Sequence, residues 1–126
     1  MTTLDLCVLH VVARIALRCQ SPRGAKRTVD VCARLIHAVR PRQATDLDRA
    51  EALEGRGTCL SRALTIAACL EDADVVVGVD PRAAVPLYAH AWVEQHGVPL
   101  REGDVRGHEI ARMRRTRLDR IFSRAC

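Results

Sequence analysis

One cysteine in the chain stands where its sulfur could act as a nucleophile. Cys59 follows Gly57 and Thr58, and the apolar run 59–70 predicts a helix that begins at this cysteine. The unpaired amides and the positive end of a helix favour a thiolate there, and the backbone amide of Cys59 is a candidate oxyanion donor. Gly55 and Gly57 would let a substrate backbone pass close to the sulfur.

A histidine inside a predicted strand could serve as the base for this thiol. Alternation along residues 87–94 places His90, Trp92 and Glu94 on one face of the strand. A cysteine nucleophile needs a base within hydrogen-bonding reach and a third group that orients the base. His90 fits that role if the Cys59 helix packs across its face. Otherwise it is a structural histidine.

The orienting acid depends on the register of one hairpin. If the loop is residues 95–97, with a left-handed glycine at its third position, Glu94 faces Val98. Counting back along the strands, His90 then faces Glu102, and their β-carbons are about 5 Å apart. We expect this register, because glycine at the third loop position suits a bulged turn, and Glu102 is therefore the predicted acid.

A shorter loop would change this assignment. If the loop is only residues 96–97, the register slips by one, so that His90 faces Gly103 and Glu102 points to the opposite face. Asp104, beyond the end of the strand, then becomes the fallback acid.

Helices are predicted in the first half of the chain and strands in the second. Apolar spacing of three to four residues predicts helices over 4–19, 29–39, 46–53 and 59–70, with a break at 21–24. Thr45 and Thr58 are the expected helix caps. Strands are predicted over 75–79, 87–94 and 98–102, residues 108–113 form a fourth strand or an extended arm, and residues 114–124 are compatible with a helix. This order predicts an α+β fold.

The composition suits one compact domain over residues 1–126. We divide it into a helical N-terminal segment over residues 1–54, a catalytic helix and sheet over 55–113, and a basic tail over 114–126. The net charge is +5, and its concentration at both ends of the chain favours anionic partners. No apolar run is long enough to span a membrane and no export signal is evident, so we expect a cytoplasmic protein.

The six cysteines show no Cys-x-x-Cys pair, which favours reduced thiols over disulfides and over a structural zinc site. We expect neither a metal nor a cofactor. The cysteines expected to be small buried hydrophobes are Cys7, Cys19, Cys32 and Cys69.

Two strings of residues together resemble a known family. These are Gly57-Thr58-Cys59-Leu60-Ser61-Arg62-Ala63-Leu64 and Ala89-His90-Ala91-Trp92-Val93-Glu94, with Val76-Val77-Gly78-Val79 between them and Gly97-Val98-Pro99-Leu100 after them. They resemble the transglutaminase-like leader peptidases of lasso-peptide biosynthesis, which are related to the microcin-processing protein. The resemblance covers about residues 50–104.

The resemblance implies a papain-like or transglutaminase-like fold, in which N-terminal helices and a central nucleophile helix pack on a small antiparallel sheet. It also implies a Cys-His-acid triad, which carries over onto Cys59, His90 and Glu102. Family members often have Asp at the acid position, and the link 71–74 lacks the usual glycine turn. Gly57, Thr58 and Trp92 are the expected substrate contacts.

The activity implied by the resemblance is removal of the leader from a ribosomally made precursor. Short members act with a separate leader-binding protein. The core amine that they free is then used by an ATP-dependent lasso cyclase. Two other functions remain open from the residues: an amidase or acyltransferase using the same thioester, and a basic nucleic-acid or partner-binding module without catalysis. The nucleic-acid alternative is weakened by the scarcity of aromatic residues, which are only Tyr88, Trp92 and Phe122.

Overall fold

The computed structural model describes residues 1–52, 57–80, 88–101 and 107–114. Four helices come first: α1 (Thr3–Cys19), α2 (Pro22–Val39), α3 (Asp46–Glu51) and α4 (Cys59–Cys69). Four strands follow: β1 (Ala73–Asp80), β2 (Tyr88–Gln95), β3 (Val98–Pro99) and β4 (His108–Met113). The strands form one antiparallel sheet in the order β3-β2-β1-β4, which confirms the predicted α+β class.

The start of α2 and the cap of α3 differ from the prediction. Residues 21–24 were expected to be non-helical, but α2 already begins at Pro22. Ser21 caps this helix by accepting a hydrogen bond from the Gly24 amide at 3.2 Å. Pro22 suits the first helical position, because its missing N–H would have no helical partner there. The predicted helix 29–39 therefore omitted the first turns of α2. Thr45 makes no side-chain cap on α3, so that prediction is also wrong.

Helix α4 lies at the centre of the fold, as its apolar sequence predicted. It contacts α1, α2 and α3 on one side and strands β1 and β2 on the other. The sheet presents alternate residues to the same core, among them Val75, Ala91, Val93 and Met113. Trp92 is also buried but lies outside that core cluster, on the opposite face of β2.

The hairpin register expected from a three-residue loop is wrong. The structure pairs Gln95 with Val98, so that only His96 and Gly97 form the loop. Both loop residues have positive φ, 53° and 78°, as a type I′ two-residue turn requires. The strand expected to reach residue 102 ends at Pro99, which leaves most of that side of β2 unpaired among the described residues.

Not all the basic charge of the first helices lies at the surface. Lys26 is only 2% exposed, and its Nζ donates a 2.6 Å hydrogen bond to Asp30 one turn later on α2. Lys26 therefore adds nothing to the surface field expected from the sequence. Among the described residues, no helix combines the length and the hydropathy needed to cross a membrane.

Candidate active site

The N-terminus of α4 presents Cys59 to solvent. Thr58 caps the helix: its Oγ1 accepts a hydrogen bond from the Ser61 amide at 3.2 Å, and Ser61 Oγ accepts one from the Thr58 amide at 3.0 Å. This reciprocal pair confirms the predicted cap and fixes the direction in which the chain enters the helix. Cys59 follows as the first helical residue and is exposed.

The turn before Cys59 rests on a buried histidine that the sequence did not single out as a site residue. Gly57 has a φ of +90°, and a β-carbon there would lie 2.9 Å from His10 Nε2 and 2.7 Å from Ser61 Oγ. His10 is buried, and its Nδ1 lies 3.3 Å from Thr65 Oγ1, which in turn donates to the Ser61 carbonyl. His10 falls within the buried apolar stripe of α1, so only its position in the fold reveals this contact.

Cys59 and His90 line one cavity. The space within it that a water molecule could occupy is about 20 Å³, and its mouth is open to solvent. Residues from both faces of β2 line it, which places it at the unpaired edge of that strand. Its lining residues are Glu51, Cys59, Arg62, Ala63, Ile66, His90, Ala91, Trp92, Val93, Leu100 and Arg101.

His90 does not reach this cavity in the way that the sequence suggested. Helix α4 packs on the Ala91 and Val93 face of β2, whereas His90 shares the opposite face with Trp92. His90 borders the cavity because β2 is unpaired at its level on that side among the described residues. The catalytic interpretation of His90 required the Cys59 helix to pack across the His90 face, and that prediction is wrong. Instead, Cys59 and His90 border the same cavity at the edge of β2.

Several lining residues were not predicted. Arg62, Ala63 and Ile66 follow Cys59 at helical spacing of three, four and seven residues, so that periodicity could have identified this face of α4. Glu51 and Arg101 come from distant segments, and an ion pair of 2.7 Å between Glu51 Oε2 and Arg101 Nη2 ties the end of the β2–β3 hairpin to α3. No local pattern in the sequence indicates that pairing.

The ring of His90 is supported by an ordered side-chain network. It stacks on Trp92, whose indole Nε1–H donates to Glu94 Oε1 at 2.9 Å. Glu94 Oε2 lies 2.7 Å from Arg112 Nη1, and hydrogen bonds from Arg112 to Glu109, Glu94 and Asp74 hold the pKa of its guanidinium above its usual range. This arrangement confirms the predicted sharing of one face by His90, Trp92 and Glu94. Trp92 was expected to bind substrate, and it is 3% exposed while bordering the cavity.

The other thiols have different surroundings. Cys69 is buried at the far end of α4, where its Sγ–H donates to the Thr65 carbonyl and burial raises the pKa of its thiol to about 12. This confirms its assignment as a buried structural cysteine. Cys7 and Cys32 are half-buried, and Cys19 is exposed, so the prediction of burial is wrong for Cys19. Cys19 ends α1 and lies away from the Cys59 cavity.

The acid of the predicted triad lies outside the described residues, as does the fallback Asp104. Glu102 therefore stays a prediction, although the loop that favoured it has the other register. Gly55, the tail residues 115–126 and the helix predicted within that tail also lie in undescribed segments.

The family model of the Transglutaminase-like superfamily matches residues 5–115, which is most of the chain and includes both Cys59 and His90. No curated protein shows significant similarity to the chain. No solved structure shows significant similarity to it either. The matched segment runs from α1 through β4 and so contains all the helices and strands that build the cavity. On the strength of this match, the chain belongs to the transglutaminase-like superfamily.

Proposed function

We propose that the chain is a cysteine peptidase that removes the leader from a ribosomally synthesised lasso-peptide precursor. The transglutaminase-like fold is consistent with a cysteine peptidase or an acyltransferase-type activity, and the superfamily generally comprises cysteine protease-type enzymes. The observation that carries the proposal is the presence of Cys59 and His90 on the wall of one solvent-open cavity. The precursor assignment comes from the resemblance of the residues around these two positions.

In the proposed reaction, His90 takes the proton of the Cys59 thiol and the thiolate attacks the scissile carbonyl carbon. The resulting oxyanion is held by backbone amides at the start of α4, of which the Cys59 amide is the first candidate. The imidazolium of His90 then protonates the departing core amine, and the carbon–nitrogen bond breaks. A water molecule, deprotonated by His90, hydrolyses the thioester, which releases the leader carboxylate and restores the thiol.

The other proposed groups bind or orient. Gly57 and Thr58 border the start of α4 and are exposed, so an extended peptide could approach the sulfur along them. Trp92 borders the cavity and supports the His90 ring through the stacking contact. Glu102 is proposed as the acid that orients His90 on the resemblance alone, because the observed two-residue loop is the one for which Asp104 is the alternative.

The proposed partners are the precursor leader, a separate leader-binding protein and a lasso cyclase. The peptidase would act on the precursor held by the leader-binding protein and release a core amine for the cyclase. The proposed reaction uses no metal ion or cofactor.

The decisive experiment incubates the protein with the precursor peptide and the leader-binding protein encoded beside it and identifies the products by mass spectrometry. Wild-type protein should yield the leader and the core, each with a new terminus. Cys59→Ala should abolish cleavage, whereas Cys19→Ala is the matched control because Cys19 is also exposed on a helix but lies away from the cavity. Full activity of Cys59→Ala would refute the assignment of the nucleophile.

The same thioester could instead pass its acyl group to an amine. The superfamily match supports this second reaction as directly as it supports hydrolysis. Adding a primary amine to the incubation separates the two: a leader amide in place of the leader acid would establish acyl transfer. A leader acid that persists in excess amine would establish a peptidase.

A further inference from the structure

The outer side of helices α1 and α2 carries an apolar patch that is separate from the Cys59 cavity. Its residues are between 42% and 81% exposed. We call this surface the outer patch, and it consists of Leu4, Val8, Val11, Ile15, Val31, Leu35 and Val39. We propose that the outer patch docks an acidic amphipathic helix of a partner protein. This proposal goes beyond the reaction at Cys59 and does not depend on it.

The spacing of the patch residues shows that they form a stripe on each helix. Positions 4, 8, 11 and 15 on α1, and positions 31, 35 and 39 on α2, recur at the three- to four-residue interval of a single helix face. The opposite face of each helix is already buried in the core, through Leu9 and Ala13 on α1 and Val29 and Ala33 on α2. A helix that is apolar on two opposite faces is typical of one covered on both sides.

The two stripes form one surface. Helices α1 and α2 pack side by side and face the same core, so the sides turned away from that core are adjacent. Contacts tie the pair at both ends: Arg40 Nη1 donates to Asp5 Oδ2 at 2.8 Å, and Thr28 Oγ1 donates to Gln20 Oε1 at 3.1 Å. These contacts fix the helices relative to each other, and the patch is therefore a preformed apolar surface of the kind against which an amphipathic helix packs.

The charge around the patch indicates the chemistry of its occupant. The exposed cations near it are Arg14, Arg18, Arg23 and Arg27. Only two acidic residues lie on α1 and α2, and both are engaged: Asp5 pairs with Arg40, and Asp30 pairs with Lys26. The border is therefore basic, and the complementary surface is an apolar stripe flanked by Asp or Glu.

Two other occupants fit less well. A second copy of this chain would place one basic border against another, which is electrostatically unfavourable. A membrane surface would suit basic borders, but interfacial helices commonly carry aromatic anchors. The aromatic residues of this chain lie at positions 88, 92 and 122, none of them on α1 or α2.

The test measures binding of two labelled synthetic helices by fluorescence anisotropy. Both have about 18 residues and the same leucine stripe, and one has Glu borders whereas the other has Lys borders. The Glu-bordered peptide should bind at least about tenfold more tightly, and added salt should weaken its binding. Equal affinities, or no binding of the Glu-bordered peptide, would overturn the proposal.

Variants of the full chain locate the binding surface. Leu35→Gln and Val11→Gln should each weaken binding of the Glu-bordered peptide about tenfold, while circular dichroism stays unchanged because both side chains are exposed. Ile110→Gln is the matched control, since Ile110 is 63% exposed on β4. Equal loss in the control would contradict the assigned surface. A dimer in sedimentation that the patch variants dissociate, or patch-dependent binding to phosphatidylglycerol vesicles in place of peptide binding, would instead contradict the proposed occupant.

Discussion

The ring of His90 lies nearly parallel to the indole of Trp92, with 6.5 Å between the ring centroids and 17° between the planes. The indole is itself held, because its Nε1–H donates to Glu94 and Glu94 is paired with Arg112. The ring of His90, the proposed base, therefore stacks on Trp92, and a buried hydrogen bond to Glu94 fixes the orientation of the indole. This contact links a residue of the cavity to the polar network on the outer face of the sheet.

Trp92→Phe should lower the free energy of unfolding by about 1–3 kcal/mol, because the largely buried Glu94 loses a hydrogen-bond donor. Urea denaturation measures this loss. A double-mutant cycle with Glu94→Leu, which removes the acceptor, tests the cause: the two effects should couple instead of adding. In the peptidase assay, kcat should fall more than KM changes, since the ring that supports His90 is smaller. Strict additivity of the two substitutions would contradict the role of the hydrogen bond.

Gly57→Ala should destabilise the protein more than Gly97→Ala, although both glycines have positive φ. The backbone strain of about 1–2 kcal/mol is shared by the two variants. Only at Gly57 would the added methyl group also meet other atoms, His10 Nε2 and Ser61 Oγ, whereas a β-carbon at Gly97 meets nothing within 4 Å. Thermal or urea denaturation of the two variants compares them directly. Equal destabilisation would show that the His10 side chain can move away from the added methyl group without loss of stability.

The elements that carry the candidate site followed from local patterns in the sequence. A glycine-threonine cap before an apolar run fixed the start of α4, and alternation fixed the common face of His90 and Trp92. The hairpin register did not follow, because a three-residue and a two-residue loop both place a glycine at a left-handed position. The structure selects the shorter loop through the pairing of Gln95 with Val98.

Contacts between distant segments were beyond the reach of local patterns. His10 has the spacing of a core residue, and its position beneath Gly57 depends on how α1 packs against α4. The Glu51–Arg101 ion pair likewise joins residues fifty positions apart. Lysine is usually a surface residue, but Lys26 is buried and paired with Asp30. The four-residue spacing of this pair gave no signal of burial, because it is also common on solvated helix faces.

The free energy of unfolding should fall as the pH drops below about 6.5, and His37 contributes to this loss. Burial lowers the pKa of His37 below its usual 6.5, although its Nε2–H donates to the Ala68 carbonyl at 3.2 Å. The unfolded chain therefore takes up this proton before the folded chain does, and stability is lost as the pH falls through that interval. Urea denaturation between pH 5 and 8 should show a smaller loss in His37→Gln, which retains a donor for Ala68. An NMR titration of His37 with a pKa above 6.5 would contradict the expectation.

Alkylation by iodoacetamide should rank the cysteines by their surroundings in the fold. Cys59 should react before Cys19, because both are exposed but only Cys59 lies beside the cavity that His90 borders. Cys69 should stay unmodified in the folded protein, since it is 4% exposed and the pKa of its thiol is about 12. Peptide mapping after timed quenching gives the rate at each site. His90→Gln should slow alkylation of Cys59 without changing that of Cys19 if His90 assists formation of the thiolate. An unchanged Cys59 rate in that variant would remove His90 from the role of base and leave the position of Cys59 on α4 as the sole source of its reactivity.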